Sequence, residues 1–155
     1  MKCRYTIIQC WLTIIVSTVM FSNHAYSKGD LSAQQPITVD VQLSNQQGEM
    51  KFFPDTLKFE TGRLYKLVIT NSSADKHYFS SDKFAQSIYT RKVQVISGKS
   101  KVSAEIKGAV REIEVYPGDT AEWWFVPVKT GAITDLKCVI PGHAAAGMQG
   151  NINIF

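Results

Sequence analysis

Cys138, His143 and Met148 stand five residues apart along the single run 138–148. A thiolate, an imidazole and a thioether at that spacing can all point inward from one loop. Soft sulfur with imidazole is a donor set that copper favours. Two His, one Cys and a distant axial Met make an electron-transfer copper site. The run itself holds one His, so the second must come from elsewhere in the chain. His77 is the candidate.

Few other donors exist. The 155-residue chain has three Cys, three His and four Met, and Met1, Cys3, Cys10, Met20 and His24 all fall in its first 27 residues. Those residues read as an export signal, 1–27: Lys2 and Arg4 form a basic start, 7–21 is apolar, and Ala25 and Ser27 are small residues at the positions a signal peptidase reads. The rival reading is a retained anchor, but Gln9, Thr13, Ser17 and Thr18 interrupt an apolar stretch already short for a bilayer span. Cys10 lacks the small-residue pattern of a lipid-modified signal.

Removing those 27 residues from the 155 leaves 128, with Cys138 as the one Cys, His77 and His143 as the two His, and Met50 and Met148 as the two Met. A single Cys in an exported chain has no internal disulfide partner, and metal ligation accounts for it. Without Lys2 and Arg4 the formal charge falls from +4 to +2. That balance calls for neither nucleic acid nor an anionic membrane.

Elements must then carry the ligands. The remaining length suits one domain with one core. Residues 28–36 are polar and read as a flexible lead, and 37–155 as the domain. Ile37–Leu43 alternates apolar and polar residues, as a half-buried strand does. Further strands are expected at 51–53, 57–59, 64–70, 92–96, 113–116, 121–128, 136–140 and 151–155, with Gly and Pro punctuating them. A helix is expected at 80–89, inside the connection that follows His77. Short strands without a long helical period predict a β-sandwich or small barrel. One strand would end at Cys138, the loop would run through His143, and the next strand would begin after Met148. Gly142 and Gly147 would serve where that loop turns sharply or its backbone passes close to the metal.

The chain resembles the cupredoxins, the small blue copper proteins related to plastocyanin, azurin and rusticyanin. The resemblance covers roughly residues 41–155. It rests on Phe53 and Pro54 before a strand, Gly62 before Leu64 to Leu67, and Asn71 ahead of His77. Tyr116, Pro117, Gly118 and Asp119 precede Trp123, Trp124 and Phe125, and the ligand loop leads into Gly150 and the last strand. The loop spacing is similar to that of rusticyanin and auracyanin. The resemblance implies an all-β, Greek-key sandwich or barrel with one short helix in a long connection. It also implies one mononuclear type 1 copper ion held by His77, Cys138, His143 and Met148. The pattern departs at Tyr78, where many cupredoxins place an Asn whose side chain ties the two ligand loops. Lys76 brings a charge beside the first His.

Rival readings of these residues are a buried structural Cys and a zinc site. Zinc also takes Cys and His, but it has no use for Met148, and the close paired spacing of a zinc knuckle is missing. Trp123, Trp124 and Phe125 read as alternating between the core and the outer face of a strand, with one Trp as a packing anchor. Arg91, Lys92, Lys99 and Lys101 read as solvated edges, and Met50 as an ordinary Met.

The expected function is one-electron transfer in the periplasm through the exposed edge of His143. Pro141, Gly142, Ala144, Ala145 and Ala146 would form an uncharged collar where a redox protein docks. The expected protein is a monomer without nucleic-acid partner, and without stable membrane insertion once the signal is cleaved. The alternative is a periplasmic copper chaperone or copper-sequestering protein. It lacks a Met-rich or His-rich tract for passing Cu(I) on. Independent catalysis is not expected, because further coppers would need more His or a second Cys.

Overall fold

The alternation that predicts strands is what builds the two layers. The structure, a computed structural model, describes residues 29–97 and 101–155. The segment 1–27, read above as an export signal, and Gly98 and Lys99 lie outside the described residues. Among the described residues the strands are β1 (Ile37–Leu43), β2 (Phe52–Phe53), β3 (Thr56–Phe59), β4 (Tyr65–Thr70), β5 (His77–Ser80), β6 (Ile88–Ser97), β7 (Lys101–Ile106), β8 (Glu112–Val115), β9 (Thr120–Pro127), β10 (Gly131–Lys137) and β11 (Gln149–Ile154). One short helix, α1 (Asp82–Ala85), interrupts them. One sheet runs β2-β1-β4-β9-β6-β7 and the other β3-β11-β10-β5-β8. Both are mixed, with β1 parallel to β4 and β11 parallel to β3. The all-β sandwich expected from the sequence is the architecture found.

The core lies between the layers and is strongly aromatic. In β9 the buried residues Trp123 and Phe125 face inward, while Trp124 turns outward beneath Lys92, whose Nζ stands 4.8 Å from its ring. Phe84, the buried residue of α1, sits with its ring centroid 5.1 Å from Phe125 and 5.4 Å from Trp123, edge to face with both. Such pairs add about 0.5–1.5 kcal/mol each beyond the area they bury. α1 thus pins the connection between the two sheets.

Several elements differ from the expectation. The helix predicted at 80–89 is only Asp82–Ala85, capped by Ser81, whose Oγ accepts from the Phe84 N–H. From Ile88 the chain is already β6, because pairing with β9 from Ile88↔Pro127 to Ile96↔Thr120 outweighs one more helical turn. The strand predicted at 136–140 is shifted earlier, to Gly131–Lys137. Val139 and Ile140 look strand-like by type, yet Val139 is 41% exposed and belongs to the loop. Two strands were not foreseen. β7 is exposed at every position. β5 is four residues long and begins at the candidate ligand itself.

The described part of the polar lead is attached to the sheet. Residues Leu31–Ala33 form a 3-10 turn capped by Asp30, and Gln34 Nε2 donates to the Gly62 carbonyl at 2.8 Å.

Candidate metal centre

At one end of the sandwich three chain segments meet. β5 starts at His77, pairing with Val115 of β8, and reaches β10 through Ser80↔Lys137. Cys138 follows that Lys137 directly, where the antiparallel chain runs back along β5, and its Sγ stands 3.4 Å from the Tyr78 nitrogen. The loop 138–148 then closes on itself before β11. The Cys138 N–H donates to the Met148 carbonyl at 3.0 Å, and the Met148 N–H donates to the His143 carbonyl at 2.9 Å. Inside it the His143 N–H donates to Ile140 and the Ala146 N–H to Gly142. Gly142 and Gly147 both take left-handed φ, +89° and +112°, which suits glycine. A Cβ on Gly147 would also stand 3.3 Å from the Met50 carbonyl oxygen, so the β1–β2 loop packs closely there.

One ligand atom from each of His77, Cys138 and His143 lies within 4.8 Å of the others. Cys138 Sγ is 3.4 Å from His143 Nδ1 and 4.0 Å from His77 Nδ1. Donors bonded to a shared ion at about 2.0–2.3 Å and spread in a plane stand about 3.5–4 Å apart, so these separations fit one metal ion. His77, Cys138 and Met148 are buried, whereas His143 is half-exposed. Three of the four expected residues therefore bring their donor atoms together. Met148 joins them through its backbone bonds to Cys138 and His143, with its side chain buried.

The electrostatics favour a ligand role for His77. Burial holds its imidazole below the ordinary pKa, the neighbouring His143 adds to the effect, and Asp75 opposes it. The neutral form, which carries a free lone pair, is thereby favoured. The sulfur receives one backbone donor, the Tyr78 N–H at 3.4 Å.

Tyr78 itself points away from the site. Its hydroxyl donates to Glu114, which raises the phenol pKa. Lys76 also turns outward and pairs with Glu114 at 2.7 Å, so its charge does not point into the site. Hydrogen bonding to Glu114 raises the Lys76 pKa and, reciprocally, lowers that of Glu114. A β-strand sends successive side chains to opposite faces, so a buried His77 places the half-buried Tyr78 on the opposite face.

Sequence reasoning missed Ser73 and gave Asn71 no role. Ser73 Oγ lies 3.1 Å from His77 Nε2, and Asn71 bonds to Ser73, Asp75 and Val115. The only signal was the polar run of Asn71, Ser72 and Ser73 before His77, which marks a turn.

No family model matches the sequence, and no curated protein matches it. Solved structures do share its fold. A multicopper oxidase from Campylobacter jejuni, described as a metallo-oxidase, is similar over 79% of this chain at 18% identity and TM-score 0.58. This chain spans only 31% of that protein's length. Auracyanin B is similar over 79% of this chain and 91% of its own, at 16% identity and TM-score 0.51. A copper nitrite reductase from Nitrosomonas europaea matches over 83% of this chain and 52% of its own, at 12% identity and TM-score 0.52. The chain has the cupredoxin fold.

Proposed function

We propose that His77, Cys138, His143 and Met148 hold one copper ion in a mononuclear type 1 site, and that the protein is a one-electron carrier in the periplasm or an equivalent exported space. The observation that carries this reading is the convergence of one thiolate and two imidazoles within 4.8 Å at one end of a cupredoxin-type sandwich. Copper supplies the one-electron couple, and a planar set of two imidazoles and a thiolate suits both of its oxidation states.

The chain supplies rigidity, dryness and an exit. His77 is fixed on a strand, and Cys138 is held between β10 and the Met148 carbonyl. Burial of the sulfur keeps water from it, and the Tyr78 N–H donates to it. Both effects tune a metal–thiolate couple. His143 is the ligand closest to solvent. Around it Pro141, Gly142, Ala145 and Ala146 are exposed and Ala144 half-buried, and residues 138–148 carry no Lys, Arg, Asp or Glu. A small uncharged collar suits brief docking of a redox protein, since electron-transfer encounters use small interfaces. The partner is another redox protein, no nucleic acid is involved, and the working form is a monomer. The basic-then-apolar segment 1–27 supports export, and no helix among the described residues is long and apolar enough to cross a membrane.

One observation favours a second reading, a periplasmic copper chaperone or sequestering protein. With Tyr78 turned out to Glu114, no side chain at that position ties the two ligand loops. Independent catalysis is not part of either reading, because residues 28–155 hold two His and one Cys and cannot build a second copper site of that kind.

A Cu(II) titration followed optically separates the readings. A carrier shows an intense visible thiolate-to-copper band that saturates at one equivalent and bleaches and returns through repeated redox cycles with the metal retained. Loss of copper on reduction, or oxidation of Cys138, would favour copper handling. Cys138→Ser removes the band, and an intense band surviving in that variant would refute the thiolate assignment.

A further inference from the structure

We propose that Ser73 is a positioning residue of this site: it accepts the Nε2 hydrogen of His77 and so fixes the tautomer that presents a bare Nδ1 to the metal. The proposal rests on the metal-site reading for its consequence, but the tautomer follows from the hydrogen bonds alone.

Asn71 is 2% exposed. Its side-chain nitrogen lies 2.7 Å from the Asp75 carbonyl oxygen and 2.9 Å from that of Val115. Both are acceptors only, so this end of the amide must be the NH2 and the other end the oxygen. A flipped amide would aim its oxygen at two carbonyls. Oδ1 therefore faces Ser73, where it accepts the backbone N–H at 3.0 Å and lies 2.7 Å from Oγ. Ser73 Oγ has a second acceptor near it, the Asp75 carbonyl at 2.9 Å.

A serine hydroxyl owns one hydrogen. Two acceptors compete for it, so whichever wins, Oγ turns a lone pair toward its third neighbour. That neighbour is His77 Nε2, at 3.1 Å. A bare Nε2 would set lone pair against lone pair in a buried place, with Ser73 itself 7% exposed and His77 fully buried. Nε2 must carry the hydrogen, and in the neutral ring Nδ1 is then free. Nδ1 is the nitrogen 4.0 Å from Cys138 Sγ. The second nitrogen of a ligating His ordinarily finds such a partner, and loss of that partner weakens metal binding by about 10- to 100-fold.

Asn71 extends the device beyond one loop. Its backbone N–H donates to Asp119 at 3.2 Å, and its carbonyl accepts from Gly118 at 2.8 Å. The hydroxyl that orients His77 is thus anchored to the end of β8 and to the β8–β9 turn.

The test is long-range proton–nitrogen NMR of the imidazoles in the metal-free protein, recorded above the titration range of His. Wild type should show His77 as a single Nε2–H tautomer, with widely separated ring-nitrogen shifts. Ser73→Ala should move those shifts toward a mixture, and Ser73→Thr, which keeps the hydroxyl, should restore them. Copper affinity should fall about 10- to 100-fold in Ser73→Ala and recover in Ser73→Thr. An Nδ1–H tautomer in wild type would overturn the inference, and that spectrum needs no folded variant. An unchanged tautomer in a folded Ser73→Ala would overturn it too. If neither wild type nor variant binds copper, the function proposal fails while the tautomer spectra still decide the role of Ser73.

Discussion

Replacing Asn71 by Ala removes a buried side chain that donates to the carbonyls of Asp75 and Val115, accepts from the Ser73 N–H, and shares the Ser73 Oγ hydrogen with the Asp75 carbonyl. At a net value of about 1 kcal/mol for each full bond, the loss comes to about 3–4 kcal/mol. Domains of this size are stable by about 5–15 kcal/mol, so the variant would give up a large share of the total. The midpoint of thermal unfolding should fall by about 10–20 °C. Chemical denaturation of the metal-free protein measures the energy, and calorimetry measures the shift. Asn71→Asp is the informative control. It keeps the size and the acceptor but sets a carboxylate oxygen against two carbonyls, so it should be more damaging than Ala at neutral pH. A cost below about 1 kcal/mol for Ala, or an Asp variant no worse than the Ala variant, would refute the hydrogen-bond reasoning.

Three other outcomes are expected. A Cβ at position 150 would stand 2.5 Å from the Asp55 carbonyl oxygen and 3.1 Å from Leu136 Cδ2, so Gly150→Ala should cost about 1–3 kcal/mol by denaturation, and a neutral result would mean β3 yields freely. Met148→Leu should keep the metal and raise the potential in voltammetry, since a thioether stabilises the oxidised ion; a lowered potential would place Met148 away from it. The pKa of His77 is depressed in the folded state, so its contribution to stability is present above the ordinary value of 6.5 and is lost as pH falls below that toward the folded value. The metal-free protein should therefore weaken on acidification through that window, and His77→Gln should flatten the trend; an unchanged profile would deny His77 its part.

Much of the site was legible because its residue types are scarce. One Cys, two His and two Met outside the first 27 residues leave few ways to assemble a sulfur–imidazole cluster, and the loop spacing supplied the rest. The strands were legible where one face is buried, as in Ile37–Leu43 and Thr120–Pro127. β7 was passed over although Val102, Ala104 and Ile106 alternate with polar residues, and at the edge of its sheet every one of its residues is exposed. The helix was overcalled because Phe84, Ile88 and Tyr89 have helical spacing, while Ile88 takes its place opposite Pro127 in a strand. The roles of Ser73 and Asn71 were invisible for a different reason. They depend on which neighbours the fold places around two short polar side chains, and spacing along the chain says nothing of that. The outward turn of Tyr78 follows once His77 is known to begin a strand.

X-ray absorption at the copper edge of the loaded protein tests directly whether Cys138 and two imidazoles bind one copper ion. The expected coordination is one short sulfur bond and two imidazole nitrogens, the sulfur disappearing in Cys138→Ser. A shell of oxygen and nitrogen alone, with no sulfur in the wild-type protein, would contradict it.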